Sequence, residues 1–125
     1  STTGVITTLT GTHATITNID CDNISSGEYK TKSDRRLKKN ILNISNPLGK
    51  INSVNGVAYT WKHNNENTYG VIGQEIREIL PYAVKDTGTH LVVNYNCIIG
   101  LLIESVKELN IKCNNLKNEI NELKK

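Results

Sequence analysis

Apolar residues are spread along this chain in three different ways, and each way predicts different structure. From residue 1 to residue 32 they stand singly: Val5, Ile6, Leu9, Ala14, Ile16, Ile19 and Ile24 in a background of Thr, Gly and Asn. Thr and Ile favour extended chain, with Gly4, Gly11 and Asn18 as turns. Apolar content this thin cannot build a core from one chain. The physical solution is several copies wound around each other, a fibrous β stalk. A flexible linker is the bland alternative, disfavoured by frequent β-branched residues and scarce Pro, Glu and Lys.

From residue 33 to residue 97 short apolar clusters alternate with turns. Pro47-Leu48-Gly49-Lys50-Ile51 predicts a helix start with Pro in its first turn. Val57 to Trp61 reads as a strand, His63 to Thr68 as a polar loop and Tyr69 to Ile72 as a second strand. Gln74 to Leu80 reads as a helix with Ile76, Ile79 and Leu80 apolar at helical spacing, stopped by Pro81. Leu91 to Val93 is a third strand after the turn Asp86-Thr87-Gly88. This middle stretch is expected to be a small α+β domain.

From residue 98 to the end, Ile99, Leu102, Val106, Leu109, Cys113, Leu116, Ile120 and Leu123 recur at alternating steps of three and four. That is a heptad seam, with Ile99, Val106, Cys113 and Ile120 at a and Leu at every d. It predicts oligomerisation through a coiled coil; the alternative is one amphipathic helix packed on its own domain. The expected architecture is α+β and homotrimeric, with an N-terminal β stalk (1–32), a small globular α+β domain (33–97) and a C-terminal α-helical coiled coil (98–125). Dimers are the simplest expectation for branched a residues with Leu at d; the stalk composition favours a trimer.

Composition narrows the picture. Over 125 residues, 37% are apolar, with no Phe, no Met and one Trp, so a large globular core is not expected and burial between chains is. A net charge of +3 and a pI near 8.8 are too mild to mark a nucleic-acid binder. No apolar run approaches a membrane span, and the N-terminal stretch lacks the pattern of a signal peptide. The first residue is Ser, so the chain reads as a piece of a longer protein. Cys21, Cys97 and Cys113 are odd in number and form no C-x-x-C, so neither a disulfide framework nor a zinc site is expected, and buried free thiols are. His13, His63 and His90 share no ligand-like spacing; no metal and no cofactor is expected. Asn23-Ile24-Ser25 and Asn43-Ile44-Ser45 match the glycosylation pattern, which has meaning only in a secretory pathway.

The chemistry sits where the stalk ends. Six of the ten residues from 30 to 39 are Lys or Arg. The bland reading is a solvated basic patch or a phosphate-contacting segment. The sharp reading is a serine–lysine dyad. A serine hydroxyl is a weak nucleophile that needs a base, and lysine serves as one only where burial or nearby like charge favours its uncharged form. Lys38 has Arg35, Arg36 and Lys39 as sequence neighbours, so like charge is built in. Five residues separate Ser33 from Lys38, which puts them ~140° apart on a helix and on opposite faces of a strand. A dyad within one chain therefore needs a turn between them; otherwise Ser33 meets Lys38 of a neighbouring copy.

These residues also carry a family resemblance. Ser33-Asp34-Arg35-Arg36-Leu37-Lys38 resembles the S-D-x-R-x-K signature of the intramolecular chaperone domain, peptidase family S74. That domain occurs in phage endosialidases, tailspikes and tail fibres and in myelin regulatory factor proteins. Val57-Ala58-Tyr59-Thr60-Trp61-Lys62 is similar to the family's v-x-Y-x-W-K strand, and Gly70 to Val84 to its G-x-I-A-Q-E-V-x-x-x-L-P-x-A-V block. Val93-Asn94-Tyr95 resembles the approach to its coiled coil. The four blocks follow in order from residue 33 to about residue 112. The chain departs from the pattern at Gly73, where Ala is usual and Gly is expected to be tolerated, and at Tyr82, where Glu is common.

The resemblance implies a single-turnover serine endopeptidase without cofactor or small-molecule substrate. Three chains associate through the C-terminal part and hold the upstream stalk strands of the same polypeptide in register. Ser33, assisted by Lys38, then cuts the backbone beside itself, within one chain or between protomers, and releases the chaperone. Asp34 and Arg36 are supporting candidates; Asp34 would orient Lys38 or a neighbouring Arg. Ring size favours the Lys32–Ser33 bond, because Ser33 Oγ reaches the Lys32 carbonyl through a five-membered ring. The resemblance to phage members points instead to Ser33–Asp34. The implied place is the host cytoplasm during virion assembly, with nucleic acid and membrane not expected as partners of this segment. Two alternatives stand beside this reading. One is the same domain in a membrane-tethered transcription factor, since Lys85-Asp86-Thr87-Gly88 resembles the myelin regulatory factor branch. The other is a non-catalytic trimerisation module with Ser33 inert.

Overall fold

The computed structural model describes residues 3–125. The chain divides into two compact units, Ser1–Lys39 and Asn40–Lys125.

In the first unit, the described residues from 3 to 34 form neither strand nor helix, and all are exposed. Among the described residues 3–30 no backbone N–H meets a backbone carbonyl. The strands expected of this Thr-rich segment are therefore not seen in the single chain. A strand is completed only by a neighbour in its ladder, and a segment with so few apolar residues has nothing to fold back upon. One 3₁₀ turn, Arg35–Leu37, follows.

The second unit holds α1 (Pro47–Ile51), β1 (Val57–Thr60), β2 (Asn67–Gly70), α2 (Gly73–Ile79), β3 (Val84–Asp86), β4 (Leu91–Val93) and α3 (Tyr95–Leu123). It is a small α+β arrangement, as expected. β1 and β2 form an antiparallel hairpin in which Val57 faces Gly70 and Thr60 faces Asn67. The second strand lies two residues earlier than the apolar run Tyr69 to Ile72 suggests. Thr60 Oγ1 donates to Asn67 Oδ1 at 2.6 Å, so a polar pair closes the ladder while Val71 and Ile72 leave it to lead into α2. β3, absent from the sequence reading, pairs antiparallel with β4 across a turn where Gly88 takes φ +97° and donates its N–H to Asp86 Oδ1. A φ that far into the positive region favours glycine, which carries no Cβ.

The core is small. Among the described residues only Ile76, Ala83 and Leu101 are buried hydrophobics, with Ser105 the one buried polar residue. α1 packs along α3. Glu108 accepts the Leu48 N–H at 3.0 Å and Glu104 accepts from Asn43 Nδ2 at 3.2 Å, so two carboxylates of α3 hold the segment leading into α1. Ser105 Oγ donates to the Leu101 carbonyl at 2.8 Å, which satisfies its hydroxyl inside the packed face. Asn94 caps α3 by accepting the Asn96 N–H.

Leu101, Glu104, Ser105 and Glu108 thus form the stripe by which α3 meets its own domain. The heptad residues Ile99, Leu102, Val106, Leu109, Cys113, Leu116, Ile120 and Leu123 all remain exposed. Own-domain packing uses a different face of the helix from the heptad seam. No helix of the described residues is long and apolar enough to cross a membrane. The three cysteines are free, but Cys21 and Cys113 are exposed and Cys97 only partly covered, so the expectation of buried thiols is corrected for the single chain: within it, the segments carrying Cys21 and Cys113 have no core to enter.

Candidate functional site

The basic segment from residue 30 to residue 39 is organised by one turn. Asp34 precedes the turn Arg35–Leu37 in an extended conformation, and its carboxylate accepts the Arg36 backbone N–H at 2.8 Å. Leu37 N–H donates to the Asp34 carbonyl and Lys38 N–H to the Arg35 carbonyl, each at 3.0 Å. Asp34 is the residue type that starts such a turn, because a short acceptor side chain satisfies an amide the turn leaves open. Lys38 returns to extended backbone.

The same carboxylate grips the Arg36 side chain from both oxygens, with Nε at 3.1 Å from Oδ1 and Nη2 at 2.8 Å from Oδ2. The Arg36 side chain, then its backbone N–H, hold the Asp34 carboxyl below the usual carboxylate range, and Asp34 raises Arg36 in return. Of the partners the sequence offers Asp34, the structure gives it Arg36 and not Lys38.

The turn reverses the chain, and Lys38 Nζ donates to Ser33 Oγ at 2.7 Å. The two residues paired by the sequence argument therefore meet within one chain, across the kind of turn that their spacing requires. Every residue from 31 to 40 is exposed. The contact can move a proton between the two groups: the ammonium donates as drawn, and the neutral amine would accept the hydroxyl proton along the same line. Among the described residues no group of three His, Cys, Asp or Glu could hold a metal. The heptad residues, the other candidates, lie in the second unit on the open face of α3. What the sequence reading missed is the acidic pair on the opposite stripe of that helix, Glu104 and Glu108; their i, i+4 spacing was the available signal.

Residues 33–85 match the family model Peptidase S74, described as the chaperone of endosialidase. The chain is also similar to long tail fiber protein Gp37 of Enterobacteria phage K3, with 32% identity over 108 residues, 78% of this chain and 9% of that protein. Gp37 of Enterobacteria phage T2 gives 32% over 108 residues, 78% of this chain and 8% of the relative. Gp37 of Salmonella phage S16 gives 31% over 109 residues, 78% of this chain and 15% of the relative. The chain thus spans only a small part of the length of these relatives. Over residues 33–85 it is therefore similar to the chaperone-of-endosialidase family, Peptidase S74.

Proposed function

We propose that this chain is the chaperone segment of a phage long tail fibre. In this reading residues 98–125 bring three copies together as a coiled coil. Residues 33–97 form the chaperone domain, and residues 1–32 are the end of the β stalk whose winding it templates. Intertwined stalks rely on non-local contacts between chains, which form slowly. Tethering three copies at one end raises their local concentration and removes much of that barrier. Ser33 then cuts the chain beside itself and the chaperone departs, which traps the wound stalk kinetically. The work takes place in the host cytoplasm during assembly.

The chemistry follows from the turn. Lys38 takes the Ser33 hydroxyl proton as Oγ adds to the Lys32 carbonyl. The proton passes to the Ser33 nitrogen as the C–N bond breaks, leaving an ester between Lys32 and Ser33 Oγ. Water hydrolyses that ester, giving a Lys32 carboxylate and restoring the Ser33 hydroxyl. Cleavage on the other side, at Ser33–Asp34, is the second possible outcome for the same nucleophile. The burial that favours a neutral amine is absent from this exposed turn and is supplied, in this reading, by the partner copies. Assembly is then the trigger of the cut. Asp34 and Arg36 act as positioning residues, because they fix the turn that carries Lys38 back to Ser33.

The observation that carries the reading is the 2.7 Å contact between Lys38 Nζ and Ser33 Oγ at the first residue of the matched family segment. The test is denaturing mass spectrometry of freshly made protein beside Ser33→Ala. The expected result is a cut at Lys32–Ser33 or Ser33–Asp34 in the parent and an intact chain in the variant. Equal cutting in both removes Ser33 from the mechanism.

A further inference from the structure

The segment before the dyad has an internal period that neither family nor composition supplies. Its backbone bends at Thr7, Thr12, Thr17, Asp22 and Gly27, one bend every five residues. Between residues 6 and 30 every apolar side chain falls in one of two positions relative to those bends. Ile6, Ile16 and Cys21 stand immediately before a bend, where Gly11 and Ser26 complete the column. Leu9, Ala14, Ile19, Ile24 and Tyr29 stand two residues after one. The charged residues in this stretch, Asp20, Asp22, Glu28 and Lys30, all lie in the other three positions.

The spacing has a geometric reason. In extended chain, residues two apart share a face, which joins Leu9 to Gly11, Ala14 to Ile16, Ile19 to Cys21 and Ile24 to Ser26. The next step is three residues, which alone would turn the side chain to the opposite face. Each bend lies inside a step of three, at the place where the chain must turn to bring the apolar column back.

We propose that residues 6–30 are a five-residue repeat whose two apolar columns face a common axis, and that these columns are covered by the same columns of further copies of this chain. The inference rests on the chaperone reading and specifies the substrate that the chaperone holds. Three observations select other copies as the occupant. The columns are uncovered within one chain, with Ile16, Ile19 and Ile24 each more than half exposed. The backbone of the described residues 3–30 forms no ladder of its own, which leaves room for partner strands to pair with it; the Glu28 carbonyl already accepts from Ser26 Oγ. A period of five kept over five repeats fits only a surface with the same period, which a second copy provides in register. Like-charge repulsion does not oppose this, since no charge sits in a column. Cys21 lies in one, and copies in register bring their Cys21 thiols together.

Disulfide trapping tests the columns. The full chain carries Ser33→Ala, so that stalk and α3 stay in one polypeptide, with Cys97→Ser and Cys113→Ser. Single thiols are placed at Cys21 (native), Ile24→Cys, Asn23→Cys and Ser25→Cys, with Cys21→Ser in the last three. After brief oxidation with copper phenanthroline, chains are separated without reductant. Disulfides need Cα atoms within about 7 Å, so positions 21 and 24 should crosslink about tenfold more than 23 and 25. Equal yields, or higher yields at 23 and 25, overturn the columns if light scattering still finds associated chains. Chains that are monomeric overturn the chaperone reading and the columns together. A second measurement does not depend on thiols. Ile16→Asn with Ile19→Asn should expose the segment to protease, while Thr15→Asn with Thr17→Asn should not; equal digestion of the two also overturns the proposal.

Discussion

Leu101 and Leu102 are neighbours on α3 with opposite surroundings: Leu101 is 0% exposed against its own domain, and Leu102 is 46% exposed on the heptad seam. One helix therefore offers two apolar stripes, and only one is used within the chain. Leu101→Ala should cost about 2–5 kcal/mol of domain stability, the usual loss for a buried leucine, read as a lower urea midpoint. Leu109→Asp with Leu116→Asp should abolish association in light scattering while leaving the domain's far-ultraviolet signal folded. If the Asp variant still associates, the exposed seam is not the interface.

Lys38→Arg separates a base from a mere hydrogen-bond donor. A guanidinium can still donate to Ser33 Oγ, but it stays protonated and cannot take the hydroxyl proton. Mass spectrometry over a time course should find the uncut chain persisting, as with Ser33→Ala. Cutting at the parental rate would remove Lys38 from proton transfer.

The Asp34–Arg36 pair predicts a pH dependence with a definite sign. The Arg36 side chain and backbone N–H lower the Asp34 carboxyl from its ordinary value. A carboxyl lowered by folding contributes fully above its unfolded value, and the contribution is lost as pH falls through the lowered one. The turn should thus hold through neutral and mildly acidic solution and loosen only below the ordinary carboxylate range. In Arg36→Ala the Asp34 midpoint, followed by carbon NMR, should move up toward the ordinary value of about 3.9. An unmoved midpoint would mean that the pair does not exist in solution.

Gly73 and Gly70 look alike in sequence and should respond differently to Ala. A Cβ at Gly73 would sit 3.3 Å from Leu91 Cβ and 3.6 Å from Val93 Cγ2, a contact that a small shift accommodates. Gly73→Ala should therefore change stability by less than about 1 kcal/mol. A Cβ at Gly70 would meet the Tyr59 ring and the Tyr95 hydroxyl, each at 3.2 Å, so Gly70→Ala should be the more damaging of the two. Urea titration of both variants compares them directly; a reversed order contradicts the packing described.

What the sequence makes legible depends on whether a signal is local. Pro47 at a helix start, the apolar spacing of Ile76 with Ile79, and Val57 to Thr60 each lie within one element and are found where the pattern puts them. β3 escapes because three residues, two of them charged, carry no alternation; it exists through its pairing with β4. β2 is displaced because the apolar run Tyr69 to Ile72 marks both a strand end and the approach to a helix. At the site, the spacing of Ser33 and Lys38 calls for a turn only if both residues belong to one chain, and Asp34 supplies the start of that turn; which of the two arrangements applies is not legible in the spacing. The choice of Arg36 over Lys38 as Asp34's partner was not legible, since both lie within reach along the chain. The bends between residues 6 and 30 were hidden for another reason: a period of five belongs neither to a strand nor to a helix.

Ser33 stands on a turn that is open to water on every residue from 31 to 40. A peptidase of ordinary design recognises foreign chains by seating several of their side chains in a cleft. In the proposed function, a nucleophile displayed on such a turn would recognise its target by covalent attachment instead. Each molecule would then act once, on itself, and an added peptide spanning the same residues should neither be consumed nor compete.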